Sequence, residues 1–155
     1  MMRPLTPAER DLIDTAPTAV LATIDPGGLP RLVPICYASP GEQAGLARPV
    51  VYSPLDAKPK RVADPHRLGR VRDIVARPEV RLLIDRWDED WTHLAWIRLG
   101  GRAELLEPDR EADRAERTAA IGALRAKYPQ YLDHDLESRP LIRVTLTDVS
   151  SWGDL

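Results

Sequence analysis

The chain has 155 residues, 43% hydrophobic and 30% charged, a length and balance that predict one domain over 1–155 with one core and exclude a disordered chain. Its formal net charge of -2 supplies no global field toward nucleic acid or anionic lipid, so any anion site must be local. Cys36 is the only cysteine, which excludes an internal disulfide and a cysteine-based metal site and makes the cytoplasm the default location.

Met1 to Pro7 lacks the apolar stretch of a signal peptide, and nowhere do the roughly eighteen apolar residues of a membrane span run together. Thr6, Pro7 and Glu9 form an N-cap signature that predicts a short helix near Pro7 to Asp14. Thr18 to Ile24 and Leu29 to Tyr37 flank the turn signal Asp25-Pro26-Gly27-Gly28 and read as a β-hairpin. Pro30 and Pro34 cannot donate to a ladder, which places the second strand at an edge or leaves one of its sides open to something other than a strand. After the polar loop Ser39 to Pro49 comes a short strand, Pro49 to Ser53.

Asp64-Pro65 predicts a helix start, with Leu68, Val71, Ile74 and Val75 on one face and Arg77-Pro78 as its end. Val80 to Asp85 reads as a buried strand, and Thr92 to Leu106 as a long one with a bulge or bend at Gly100-Gly101. Asp109 to Lys127 has a thin apolar stripe at Ile121 and Leu124 and reads as a surface helix ending near Tyr128-Pro129. Leu141 to Thr147 closes the chain as an alternating strand. About six strands joined by mostly short connections predict a mainly β, small antiparallel barrel with a few helices. A doubly wound fold is disfavoured, because no Gly-rich strand-to-helix turn exists.

Lys58, Lys60, Arg61, Arg67, Arg70 and Arg72 face a single acid, Asp64, between positions 58 and 72, and the cluster runs into a predicted helix N-terminus. That combination suits a phosphate, and it equally suits a solvated basic loop. Arg31, Tyr52 and Ser53 are candidates to converge on the same anion; an ordinary surface role for Arg31 stands beside that one. Trp87, Trp91 and Trp96 crowd into ten residues and either line a pocket for a flat ligand or pack in a core or subunit interface. His66, His93 and His134 lack metal-site spacing, and no nucleophile elbow is present. With no evident catalytic acid, base or nucleophile, an enzyme built on this chain would rely on a cofactor for its chemistry.

The ordered series Thr18 to Asp25 with Gly28-Leu29-Pro30, Arg31 to Cys36, Val51-Tyr52-Ser53, Lys58-Pro59-Lys60-Arg61, Leu68 to Ile74 and Arg77 to Asp85 resembles the pyridoxamine-phosphate-oxidase-like split β-barrels, the flavin/deazaflavin oxidoreductases. The Lys-Pro-Lys-Arg loop and Asp85 to Trp91 resemble an actinobacterial branch regarded as users of the deazaflavin coenzyme F420. The resemblance implies a six-stranded antiparallel split β-barrel and a homodimer with cofactor at the subunit interface. It also implies hydride transfer between the reduced deazaflavin and a small organic acceptor. Arg31, Leu32, Val33, Pro34, Ile35, Tyr52 and Ser53 would then lie along the cofactor, and Lys58, Lys60 and Arg61 would bind its phosphate. From the aromatic cluster itself, Trp91 and Trp96 are the candidate substrate contacts. Flavin-using relatives often have Ser-Arg-Lys where this chain has Ala57-Lys58-Pro59-Lys60, so FMN stands as the alternative. A non-catalytic flavin or haem binder on the same barrel is the rival class. The substrate-anchoring C-terminal motif of pyridoxamine-phosphate oxidase proper is not apparent in Val144 to Leu155.

Overall fold

In the computed structural model, which describes residues 2–41, 48–55 and 63–155, the first helix forms where Thr6 and Glu9 predict it. Helix α1 spans Pro7–Thr15. The Thr6 hydroxyl accepts from the Glu9 N–H at 3.1 Å while Glu9 Oε2 accepts from the Thr6 N–H at 2.9 Å, a reciprocal capping box. The apolar side of α1, Leu12 and Ile13, is buried in the main core.

Strands β1 (Ala19–Ile24) and β2 (Pro30–Ile35) form the expected hairpin, with Ile24 opposite Pro30 and Thr23 opposite Arg31. Gly28 takes φ +83° in the turn, a left-handed conformation that costs a glycine little. The sheet order is β2-β1-β4-β5-β6-β3 with every pairing antiparallel; here β3 is Val50–Pro54, β4 Glu79–Arg86, β5 Ala95–Leu106 and β6 Leu141–Gly153. The proline-bearing β2 lies at the edge, as its missing donors require.

The two edges meet. Beyond the end of β2, Ala38 and Tyr52 exchange backbone hydrogen bonds of 2.9 and 2.8 Å, and Ser53 Oγ donates to the Cys36 carbonyl at 2.8 Å. These contacts curl the sheet into a split barrel whose interior holds Leu21, Val51, Leu82, Ile84, Ile97, Leu99 and Val144. A second apolar cluster seats helix α3 (Arg114–Lys127) through Ala120, Ile121 and Leu124 on Tyr52, Leu106 and Leu141.

Several local expectations change. The helix expected from Asp64 is broken at Leu68, which is extended (ψ 139°). Asp64 caps a short 3-10 turn, Pro65–Arg67, and helix α2 proper is Gly69–Ala76. Val75 does not join the apolar face, since it is exposed while Asp73 is buried beside Val71 and Ile74. Residues 91–93 form a 3-10 turn ahead of β5. The last strand continues six residues past Thr147 to Gly153, because the first half of β5 needs a partner and finds it in Asp148 to Gly153. The bulge expected at Gly100-Gly101 is present as a register shift between β5 and β6.

Candidate functional site

The hairpin register puts Thr23 and Arg31 side by side on the inner face of the sheet, at the end of the barrel covered by α2. Asp73, 2% exposed, reaches them from α2. Its Oδ2 accepts from Arg31 Nε at 2.7 Å and from Thr23 Oγ1 at 2.7 Å. Burial by itself would raise the Asp73 carboxyl, but the hydrogen bonds from Arg31 and Thr23 outweigh it and the pKa falls below the ordinary carboxylate range. The same bond holds Arg31 more firmly charged.

Among the described residues no hydrogen bond engages Nη1 or Nη2, and the Arg31 side chain remains 42% exposed. The guanidinium lies against the first residue of α2, so close that a Cβ on Gly69 would stand 2.8 Å from Cζ and Nη1. A charged, half-exposed fork with two nitrogens unbonded among the described residues can receive an anion in bidentate fashion.

Just before α2, Asp64 Oδ1 accepts from the His66 N–H at 3.0 Å, and His66 Nε2 lies 2.9 Å from Glu107 Oε1. Contact with Glu107, then with Asp64, raises the imidazole pKa. The turn leading into α2 is thereby tied to the end of β5. Lys58, Lys60 and Arg61 fall outside the described residues.

The other predicted site residues do not converge on Arg31. Alternation along β2 sends Leu32 and Pro34 to the outer face, leaves Val33 half-buried and puts Ile35 in the core. Tyr52 and Ser53 turn their hydroxyls into the protein: Tyr52 Oη donates to Glu116 Oε1 at 2.5 Å, and Ser53 makes the barrel-closing bond to Cys36. Trp91 is 72% exposed in the 3-10 turn. Trp96 sits on the outer sheet face opposite Trp152, with the Arg98 guanidinium 5.6 Å from its ring centroid. On that face β1 and β4 lie between the strand of Leu32 and the strand of Trp96.

A cavity of about 620 Å³ between the end of α2 and the second half of β5 contains none of the predicted site residues. Its charges are matched: Arg102 bonds Glu79, Glu104 bonds Arg143, Glu107 meets His66 and Arg110 bonds Asp113. Thr23, Gly69 and Asp73 were not singled out from sequence. The available signal was the hairpin register, which sets Thr23 opposite Arg31 once the turn at Asp25 is assigned.

The sequence matches the pyridoxamine 5'-phosphate oxidase family over residues 5–153. The chain belongs to that family. No curated protein matches it significantly. Among solved structures, a conserved hypothetical protein from Mycobacterium tuberculosis superposes with TM-score 0.69 at 17% identity, covering 99% of this chain and 89% of that one. An F420 reductase gives TM-score 0.61 at 19% identity over 91% of this chain and 94% of its own. The haem storage protein HutZ from Vibrio cholerae gives 0.65 at 15% identity over 97% and 95%. At such identities the likeness speaks to the fold, the split barrel of the pyridoxamine 5'-phosphate oxidase family, and not to a shared ligand. No helix among the described residues is long and apolar enough to cross a membrane.

Proposed function

We propose that this chain is a cofactor-dependent oxidoreductase using coenzyme F420, with FMN as the alternative, and that it works as a cytoplasmic homodimer. The observation that carries the reading is Arg31, held along one edge by a buried carboxylate, with two guanidinium nitrogens that no described residue bonds and that could take a phosphate. In sequence, Lys58, Lys60 and Arg61 precede the turn that leads into α2 and would add charge to that phosphate.

The flat part of such a cofactor requires an apolar wall. The outer sheet face offers Leu32, Pro34, Leu83, Trp96 and Trp152, but one chain does not bring them to Arg31. A second copy lying on this face would supply the missing wall, which is why the dimer belongs to the proposal. The cofactor would supply hydride chemistry toward a small, electron-poor organic acceptor. The protein residues would bind the phosphate, orient the ring and exclude water.

Haem is the rival ligand, suggested by neighbours such as HutZ. An axial histidine is the difficulty. His66 has both ring nitrogens against carboxylates, His93 stands by Asp88 and Asp90, and His134 packs edge-on against Tyr131. Parallel titration of the purified protein with F420, FMN and haem is the test. F420 is expected to bind tightest; tight FMN binding with no F420 binding reverses the cofactor, and haem binding alone overturns the oxidoreductase reading.

A further inference from the structure

Resting on the phosphate role given to Arg31 above, we propose that Asp73, Gly69 and Thr23 form a seat that fixes the Arg31 guanidinium for a phosphate, with Asp73 as its positioning residue. None of the three would touch the ligand. Asp73 and Gly69 stand four residues apart and therefore on one face of α2, while Thr23 is the cross-strand neighbour of Arg31. Two elements, α2 and β1, thus meet at a side chain carried by a third, β2.

Each part has a separate physical task. The Asp73 carboxylate takes Nε, which sets the plane of the fork and, among the described residues, leaves Nη1 and Nη2 without a hydrogen bond. Thr23 donates to the same oxygen and holds the carboxylate in that rotamer. Gly69 provides space, because the guanidinium lies where a Cβ at that position would be. A long arginine side chain loses much rotamer freedom on binding, and ordering it beforehand lowers that cost. Burying Asp73 almost completely is otherwise hard to reconcile with a surface helix of eight residues, since a buried carboxylate is unfavourable unless it is paired.

The experiment measures affinity for FMN against riboflavin, and for F420 against its phosphate-free chromophore, in the parent and in Arg31→Ala, Asp73→Asn, Gly69→Ala and Arg31→Ala/Asp73→Asn. Thermal unfolding of each variant is followed in parallel. Asp73→Asn and Gly69→Ala are expected to weaken the phosphorylated ligand roughly three- to tenfold while the phosphate-free ligand is unchanged. The Asp73→Asn effect should vanish in the Arg31→Ala background. Gly69→Ala keeps the test usable if Asp73→Asn fails to fold, because the displaced atoms belong to the end of one long side chain and not to backbone, and alanine is a good helix former. If Arg31→Ala binds both ligand forms as the parent does, the phosphate role of Arg31 is wrong. If Arg31→Ala is weakened but Gly69→Ala is not, the role stands and the seat is wrong. Equal weakening of phosphorylated and phosphate-free ligands would also overturn the seat, and absence of any phosphate-dependent binding by the parent overturns both.

Discussion

Glu9 shows how a residue readable as a helix cap acquires a second role from the fold. Its carboxylate caps α1, pairs with Arg3 at 2.5 Å and accepts from Ser151 Oγ at 2.7 Å, so it joins the first helix to the last strand. The Arg3 bond, opposed by burial and supported by Thr6 and Ser151, brings its pKa down from 4.5 to about 2. A depressed carboxyl contributes its stability above the unfolded value and loses it as the pH falls through the folded one. Glu9→Gln should therefore cost about 1–3 kcal/mol at neutral pH, and the gap to the parent should close between pH 4.5 and about 2. Urea unfolding across that range checks it; an unchanged gap at pH 3 would exclude the ion pair as the cause. Tyr52 is a parallel case, since burial and then Glu116 push its phenol up, keeping it a neutral donor. Tyr52→Phe should lower stability by about 1–2 kcal/mol and leave cofactor affinity within about twofold, because the lost bond lies between barrel and α3. Equilibrium unfolding beside ligand titration separates the two effects.

At the level of elements, the bulge in β5 depends on two adjacent glycines with different surroundings. A Cβ on Gly101 would stand 2.5 Å from Val144 Cγ1 and 2.7 Å from the Thr145 carbonyl oxygen, packed side chain and backbone of β6. A Cβ on Gly100 would meet the tips of Arg81 and Asp148, an exposed ion pair able to swing aside. Gly101→Ala is expected to cost about 1–3 kcal/mol and Gly100→Ala less than about 1 kcal/mol. Thermal or urea midpoints of the two variants decide this, and a larger loss at Gly100 would place the critical contact on the wrong glycine. The break at Leu68 has a comparable local origin. Asp64 and Pro65 start a turn, and the chain then redirects so that Val71, Asp73 and Ile74 meet β1 and the barrel.

For the molecule as a whole, the outer face of the sheet presents Leu32, Leu83 and Trp152 to solvent in one chain. These lie on neighbouring rows of one surface, since Val20 pairs with both Pro34 and Leu83 while Trp96 faces Trp152. Large apolar side chains gathered on one sheet face are characteristic of a surface that associates. The protein is expected to sediment as a dimer at micromolar concentration, and Leu83→Glu should shift it to monomer or prevent assembly. A stable folded monomer of the parent at that concentration would remove the dimer from the proposal.

Much of the architecture was legible in the sequence because it depends on local rules. Thr6 and Glu9 cap a helix by themselves, Asp25 to Gly28 make a turn by themselves, and prolines in β2 force an edge wherever the sheet is built. Gly100-Gly101 likewise marks the bulge. Family membership was legible for a related reason, in that the order of such signals is carried along the chain. The arrangement around Arg31 was not legible in this way. Asp73 follows directly on a run of arginines and looks like one more exposed helix charge; only the packing of α2 over the barrel end turns it inward to meet Thr23 and Arg31, fifty and forty-two residues away. The opposite held for Tyr52 and Ser53, polar residues beside a basic segment whose hydroxyls the tertiary structure directs into the protein. Which polar atoms are left for a ligand depends on which are already bonded across the fold, and those partnerships are set by contacts between segments distant in sequence.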